Sequence, residues 1–170
     1  MVESEQKRIF DEWLDAHKGL FFKVVRAYAF TTQDQDDLFQ EIAIQVWNSV
    51  PNFRGESSVA TWIYRVALYT AMSWARQEIK REDGKRPLTG VEHTLIAKPH
   101  KQDERLIWLY DQIAQLNEVD RSLTLLLLDG YSYKEMAAIL GISASNVGVK
   151  INRIKKHLTR KLQEGVRYGV

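Results

Sequence analysis

DGYSYKEMAAILGISASNVGVKINRIKKHLTRKL, residues 129–162, predicts two helices joined by a tight turn, the second of them strongly basic. Ser132, with Glu135 three residues later, has the pattern of a capping box that begins the first helix. Gly141 can take the left-handed conformation that ends this helix, and Ser143 can cap the next one. The stretch therefore predicts a helix-turn-helix whose second helix enters a DNA groove.

Apolar residues recur at helical spacing in both helices of this motif, which predicts one buried stripe on each. The two stripes are Tyr133, Met136, Ala137 and Leu140 in the first helix and Val147, Ile151, Ile154 and Leu158 in the second. The outward positions of the second helix are then Ser145, Asn146, Gly148, Val149, Asn152, Arg153 and Lys156. An ordinary helical hairpin is the alternative, but a hairpin needs no uncharged first turn followed by cations.

Charge is unevenly distributed along the chain. Residues 143–170 contain seven Lys and Arg residues and one Glu, a net charge of +6, whereas the whole chain carries only +2. The rest of the protein is therefore at −4. Such asymmetry indicates a nucleic-acid contact at the basic end, although a solvated helix face is the simpler explanation of a charge run taken alone.

Composition and periodicity predict an all-α fold of two small helical domains joined by a linker, the second being the helix-turn-helix domain. The chain of 170 residues is 45% hydrophobic, and two of its three prolines fall within residues 82–105. These residues have little helical pattern and are predicted to be the linker, with one domain at 1–81 and the other at 106–170. A linker of this length can extend over several tens of Å, at about 3.3–3.6 Å per residue.

The segment DQDDLFQEIAIQVWNSV, residues 34–50, predicts an acidic helix. Leu38, Ile42, Gln45 and Val46 are expected on one face, with Trp47 beside it. Acids in the first turn favour the positive end of the helix dipole, which is one sufficient explanation of them. The other is an acidic and aromatic face that binds a basic or amphipathic partner helix.

Residues 51–81, PNFRGESSVATWIYRVALYTAMSWARQEIKR, predict a polar loop followed by a helix from about Val59 to Lys80. This helix interleaves aromatic residues (Trp62, Tyr64, Tyr69 and Trp74) with cations (Arg65, Arg76, Lys80 and Arg81). The combination suits single-stranded nucleic acid, because bases stack on rings while cations follow the phosphates. The alternative is that Trp62, Val66, Tyr69 and Ser73 continue a core stripe.

These three segments, in this order, resemble the extracytoplasmic-function (ECF) sigma factors of bacterial RNA polymerase. The acidic segment is similar to the family's helix that binds the clamp helices of the polymerase. NFRGESSVATWIYRVALYTAMSWAR is similar to its loop and helix that read and melt the promoter −10 element. LNEVDRSLTLLLLDGYSYKEMAAILGISASNVGVKINRIKKHL is similar to its second domain, which reads the −35 element in duplex DNA.

The resemblance implies residue roles, partners and a function. Implied polymerase-binding residues are Asp36, Asp37, Gln40, Glu41 and Trp47. Implied −10 residues are Asn52, Phe53, Arg54, Gly55, Glu56, Thr61, Trp62, Arg65 and Tyr69, and implied −35 residues are Ser145, Asn146, Gly148, Val149, Lys150, Asn152, Arg153 and Lys156. Implied partners are core RNA polymerase, promoter DNA and an anti-sigma factor. The implied function is promoter recognition, DNA melting and transcription initiation.

Other function classes lack their motifs in this sequence. There is no cysteine, no H-E-x-x-H motif, no Gly-rich phosphate loop and no nucleophile elbow, so we expect no enzyme, no cofactor and no metal site. No signal peptide is evident and the longest apolar run, Leu123–Leu128, is too short to span a bilayer, which predicts a cytoplasmic protein without membrane insertion. A stand-alone dimeric helix-turn-helix regulator and a helical interaction module without DNA binding remain open alternatives.

Overall fold

The computed structural model describes residues 1–82 and 103–167 of the chain. Within these residues the regular elements are eight α-helices and one 3-10 turn, and no strand occurs, which confirms the all-α prediction. By contacts the chain divides into two units, unit 1 at Met1–Tyr110 and unit 2 at Asp111–Val170. Most of the predicted linker lies outside the described residues, and the predicted domain limits stay a prediction.

Unit 1 contains four helices that come from the first part of the chain. They are α1 (Glu3–Ala16), α2 (Lys18–Tyr28), α3 (Thr32–Ser49) and α4 (Val59–Glu82), and the 3-10 turn Val50–Asn52 follows α3. α3 and α4 pack against each other and against α2, while α1 packs on α3 and on the 3-10 turn. The break between α1 and α2 falls at His17.

The core of unit 1 forms where α4 presents small residues to its neighbours. Ala67, Ala71 and Ala75 of α4 are buried, and Leu38 and Ile42 of α3 are fully buried as well. Small side chains on one helix let the other helices approach closely, so larger residues of α2 and α3 can fill the space between them. Burial of each large aliphatic side chain contributes about 1.5–3 kcal/mol relative to exposure.

Side chains satisfy the first backbone N–H groups of the two long helices in unit 1. Oγ1 of Thr31 accepts a hydrogen bond from the backbone N–H of Asp34 at 3.1 Å, which begins α3. Oγ of Ser58 accepts one from the backbone N–H of Thr61 at 3.1 Å, which begins α4. These caps fix where the helices begin, and so they set the register of the faces described below.

Unit 2 contains the helix-turn-helix that the sequence predicted. Its helices are α6 (Glu118–Leu128), α7 (Tyr133–Leu140) and α8 (Ala144–Arg167), preceded by α5 (Glu104–Ala114), which crosses the division between the units. At the start of α5, a hydrogen bond from the backbone N–H of Arg105 lowers the pKa of Asp103. α8 packs on both α6 and α7, so the motif is supported by a third helix.

The predicted signals around the turn are confirmed. Ser132 and Glu135 form a reciprocal capping box at the start of α7. Gly141 ends α7 in the left-handed conformation, with φ +68° and ψ +32°. Oγ of Ser143 accepts from the backbone N–H of Asn146 at 3.0 Å and so caps α8.

Five of the eight residues in the predicted stripes are buried, Ala137 and Leu158 are half-buried, and one is exposed. Val147, Ile151 and Ile154 of α8 and Met136 of α7 are buried, but Tyr133 is 40% exposed. Tyr133 is the first residue of α7, so the stripe of this short helix starts a turn later and continues through Ile139 and Leu140. The prediction that Tyr133 is buried was therefore wrong.

Candidate functional site

The acidic face of α3, formed by Asp36, Asp37, Gln40 and Glu41, is exposed along its length. These residues fall at i, i+1, i+4 and i+5, on the side opposite the buried line of Leu38, Ile42 and Val46. Ile44 lies on this face and is 51% exposed. An apolar residue surrounded by acids suits a partner helix that is both basic and amphipathic. Ile44 was not among the predicted residues, although its position two residues after Ile42 places it away from the predicted inward face of α3.

Trp47, the fifth predicted polymerase-binding residue, is only partly available at the end of this face. Its ring packs edge-on against Phe10 with 5.6 Å between centroids. Nε2 of Gln6 donates a hydrogen bond to its carbonyl oxygen at 2.8 Å. Because α1 holds this residue from both the side chain and the backbone, the half-buried indole is rigid where it meets solvent.

Two adjoining surface grooves of unit 1 are lined by residues of both α3 and α4. The acidic groove, of about 610 Å³, is lined by Asp37, Glu41, Trp74 and Glu78 among others. Gln45, Tyr69 and Thr70 line both grooves and join them. Gln45 was predicted on the same face as Leu38, Ile42 and Val46, but it is exposed. It precedes the buried Val46 by one residue, and one residue turns a helix by about 100°, so the two side chains lie on different sides of α3.

The second groove, here called the aromatic groove, has a volume of about 570 Å³ and gathers predicted −10 residues. Its lining includes Asn52, Trp62, Arg65 and Tyr69 of the predicted set, together with Asn48 of α3. Tyr69 is 40% exposed, and the guanidinium of Arg65 lies 5.8 Å from the centroid of its ring. Rings and a cation beside amide side chains can stack on bases, neutralise phosphates and pair with base edges.

The alternative that Trp62, Val66, Tyr69 and Ser73 form a core stripe is wrong. The buried line of α4 instead consists of Ile63, Tyr64, Ala67, Leu68, Ala71, Met72 and Ala75. Tyr64, one of the aromatic residues that suggested nucleic-acid binding, therefore belongs to the core. Of the four residues in the proposed core stripe, Trp62, Val66 and Ser73 are half-buried and Tyr69 is exposed, so Tyr69 is the most accessible of them to a ligand.

Trp62 lines the aromatic groove, and its ring packs against that of Phe53. The Phe53 ring lies 5.3 Å from that of Trp13 and 5.5 Å from that of Trp62, measured between centroids. Nε1 of Trp62 donates to Oγ of Ser49 at 3.0 Å, which fixes the indole against the end of α3. Phe53 is thus packed between two indoles and supports Trp62 rather than forming an open stacking surface.

The loop before α4 and the first turn of α4 carry the remaining predicted −10 residues. Arg54, Gly55 and Glu56 are exposed, and Gly55 has a φ of +74°, which a residue with a side chain rarely adopts. The hydroxyl of Thr61 lies 3.0 Å from Oγ of Ser58, within the cap of α4. Thr61 is therefore involved in beginning the helix, while the loop residues project into solvent.

In unit 2, the predicted −35 residues lie on the outer side of α8. Ser145, Asn146, Val149, Asn152, Arg153 and Lys156 are exposed, whereas Gly148 and Lys150 are half-buried. Val149, Asn152, Arg153 and Lys156 also line a common groove of about 770 Å³ beside the start of α6. This lining is basic, but it includes the carboxylate of Asp120, which the sequence analysis did not single out.

Among the described residues, no group of three or more His, Asp or Glu side chains is arranged to hold a metal ion. No helix in the described part of the chain is long and apolar enough to cross a membrane.

Comparisons with known protein families agree with this arrangement. Residues 13–82 match Sigma-70 region 2, and residues 106–158 match the family described as Sigma-70, region 4. The two matches together span more than half of the chain, and several relatives are ECF sigma factors. The chain belongs to the ECF sigma factors of the sigma-70 family. Sigma factors are non-enzymatic transcription initiation factors.

Two relatives illustrate the similarity in sequence. The RNA polymerase sigma factor YlaC of Bacillus subtilis is 30% identical over 139 residues, which cover 75% of this chain and 79% of the relative. The ECF RNA polymerase sigma-E factor of Haemophilus influenzae is 26% identical over an alignment of 176 positions, which covers 95% of this chain and 92% of the relative.

Two solved structures resemble the chain in fold. CnrH, solved in complex with the cytosolic domain of CnrY, has a TM-score of 0.63 and 19% identity, covering 93% of this chain and 90% of that chain. The sigma factor RpoE, solved with the anti-sigma factor NepR from Bartonella quintana, has a TM-score of 0.71 and 19% identity, covering 92% of this chain and 98% of that chain. At this identity the likeness concerns the fold alone.

Proposed function

We propose that this sigma factor binds core RNA polymerase through the acidic face of α3 and directs promoter recognition, DNA melting and transcription initiation. The observation that carries the proposal is the position of two different surfaces side by side in unit 1. The acidic face and the aromatic groove share the exposed side of α3 and α4, with Gln45 between them. A polymerase helix on one surface would therefore bring DNA to the other.

In this proposal the aromatic groove captures unpaired bases of the −10 element. Tyr69 and Trp62 supply ring faces, Arg65 supplies a cation, and Asn48 and Asn52 supply amide groups that can pair with base edges. Flipping a base out of the duplex costs a few kcal/mol, and stacking on a ring recovers energy of the same order. Arg54, Gly55 and Glu56 contact the same strand from the loop.

The outer side of α8 binds the duplex −35 element in this proposal. Its cations give a salt-dependent affinity for phosphates, and each neutralised phosphate contributes about −0.9 to the slope of log affinity against log salt concentration. Ser145 and Asn146, close to the start of α8, reach base edges first, and Val149, Asn152 and Arg153 follow along the helix.

An anti-sigma factor is the third partner that we propose. CnrH and RpoE, which share the fold, were each solved with a bound protein, in the second case the anti-sigma factor NepR. The exposed Ile44 and the acids around it offer a surface on which such an inhibitor would compete with polymerase. All of these partners place the activity in the cytoplasm.

Run-off transcription with purified core polymerase tests the proposed function. We expect promoter-dependent transcripts from a genomic library when the chain is added, and none with core polymerase alone. A complete lack of added transcripts would remove the proposal.

Stoichiometry separates the proposal from a stand-alone helix-turn-helix regulator. We expect a monomer by sedimentation that co-purifies with core polymerase. A stable dimer that binds palindromic half-sites without polymerase would instead identify a regulator.

A further inference from the structure

Unit 2 contains a buried carboxylate that binds one of the predicted DNA-contacting residues. Nη2 of Arg153 donates a hydrogen bond to Oδ2 of Asp120 at 2.9 Å. The Asp120 side chain is only 7% exposed, whereas that of Arg153 is 59% exposed. The pair therefore links a rigid position in the core, at the start of α6, to a side chain on the outer side of α8.

Asp120 is held in place by its own neighbours. Its backbone N–H donates to Oδ1 of Asn117 at 2.9 Å, and Nδ2 of Asn117 donates to its Oδ2 at 3.1 Å. Oγ1 of Thr124 donates to its carbonyl oxygen at 2.7 Å. Oδ1 of Asp120 is buried without a hydrogen-bond partner among the described residues, so the bond to Arg153 is a large part of what compensates this carboxylate.

The contact orders the guanidinium and leaves most of its N–H donors available to a ligand. A guanidinium has five N–H donors in one plane, and the hydrogen bond to Asp120 engages one nitrogen. The remaining fork matches the two acceptors of guanine in the major groove. An arginine that is already ordered loses less side-chain entropy when it binds than a free one.

The negative charge of Asp120 favours a base over a phosphate as the target. It partly neutralises the charge of Arg153, which weakens the long-range attraction of the guanidinium to phosphates. Hydrogen bonds to a base edge depend more on the position of the guanidinium than on its net charge, so they are weakened less. Arg153 also lines a groove together with Val149, Asn152 and Lys156, at i, i+3, i+4 and i+7 along one face of α8. An apolar side chain and an amide beside the arginine can contact a thymine methyl group and an adenine.

We propose that Asp120 is a positioning residue that presents the guanidinium of Arg153 to a guanine in the −35 duplex. The proposal rests on the function proposed above, because it assumes that α8 contacts that duplex. Asp120 itself does not touch DNA; it acts through Arg153.

The test measures run-off transcription by the full chain with core polymerase, on promoters that each carry one substituted base pair in the −35 element. With the wild-type chain we expect about a tenfold loss at one G·C pair, in the range usual for a mismatched base pair. Arg153→Ala should abolish discrimination at that pair alone. Asp120→Asn should remove most of it at the same pair, and Asp120→Asn with Arg153→Ala should be no worse than Arg153→Ala.

Two further variants separate positioning from general stability. Ser132→Ala removes the N-cap of α7 in the same unit without touching Arg153, and it should lower activity on all promoters alike. Arg153→Lys keeps a charge for Asp120 but lacks the planar fork, so it should fold normally and lose the discrimination. This variant keeps the proposal testable if Asp120→Asn fails to fold by circular dichroism.

Each outcome has a defined meaning. Suppose that the wild-type chain discriminates among the substituted promoters. If Asp120→Asn then leaves this discrimination unchanged, or lowers transcription equally at every base pair, the inference is overturned while the proposed function stands. Full discrimination by Arg153→Lys would overturn it as well. A wild-type chain that yields no promoter-dependent transcript would overturn both.

Discussion

Single side chains of the aromatic groove fall into those that build its wall and those that face solvent. Trp62 forms part of the wall. It is supported by Phe53, which packs between Trp13 and Trp62, and by Ser49, which accepts its indole hydrogen bond. Tyr69 is instead 40% exposed. Changes at the wall alter folding and binding together, so Tyr69 is the residue that reports on binding alone.

We predict that Tyr69→Ala impairs promoter opening with little effect on folding. Loss of one stacking ring costs about 1–3 kcal/mol per base, which corresponds to a decrease in the equilibrium constant of promoter opening of about 5- to 160-fold. The measurement is 2-aminopurine fluorescence in the −10 element with the reconstituted holoenzyme. Ile79→Ala, an exposed apolar residue farther along α4, is the matched control and should leave opening unchanged. Equal defects in both variants would contradict the assignment of Tyr69.

Gly148 gives a second prediction at the residue scale. A methyl group added there would meet only the Tyr133 ring, at 3.6 and 3.7 Å, which is ordinary contact. Gly148→Ala should therefore stabilise α8 by about 0.5–1 kcal/mol, measured by thermal unfolding. Since the protein itself does not require this glycine, we expect that DNA does, through close approach of the α8 backbone, and that −35 affinity falls. An alanine variant with higher stability and unchanged affinity would disprove that approach.

At the scale of helices, the elements that local chemistry specifies were predictable from the sequence. Ser132, Glu135 and Gly141 specify α7 and its end through contacts within a few residues, and Pro51 and Ser58 bracket the loop before α4 in the same way. Periodicity also identified the inward face of α8. Such features do not depend on the rest of the fold, so the sequence alone contains them.

Features that depend on tertiary packing were missed or misplaced. The Asp120–Arg153 pair joins residues 33 positions apart, so no local pattern marks it. Tyr133 is exposed because its short helix begins at that residue. The candidate site was therefore predictable as a set of surfaces, but not in its inner supporting contacts.

We predict that charge reversal on the acidic face of α3 weakens binding to core polymerase. Asp37→Lys with Glu41→Lys should weaken binding to core polymerase at least tenfold, because like charges across an interface cost several kcal/mol. Affinity is measured by competition with labelled wild-type chain, and unfolding should change little because both residues are exposed. Asp15→Lys, at a side chain that is 80% exposed on α1, is the control. An equal loss from Asp15→Lys would show a general charge effect instead of a defined surface.

At the scale of the whole molecule, the proposed function assigns surfaces for different forms of DNA to the two units. Unit 1 presents rings and amides suited to unpaired bases, while unit 2 presents a basic helix suited to a duplex. Linked sites gain affinity only when the spacing between them matches the spacing of their targets. In this proposal polymerase fixes that spacing and opens the −10 strand, so the free chain lacks both contributions.

We therefore predict that the free chain binds promoter duplex weakly and with little sequence preference. At physiological salt its dissociation constant should lie in the non-specific range of about 10⁻⁴–10⁻⁶ M and weaken steeply as salt is raised. With core polymerase the same promoter should be bound in the specific range, about 10⁻⁸–10⁻¹¹ M. Fluorescence anisotropy measures both, and a promoter with a scrambled −35 element is the control, which should matter only in the presence of polymerase. Tight binding by the free chain that the scrambled element abolishes would mean that unit 2 recognises DNA without polymerase, and the two surfaces would then not depend on each other.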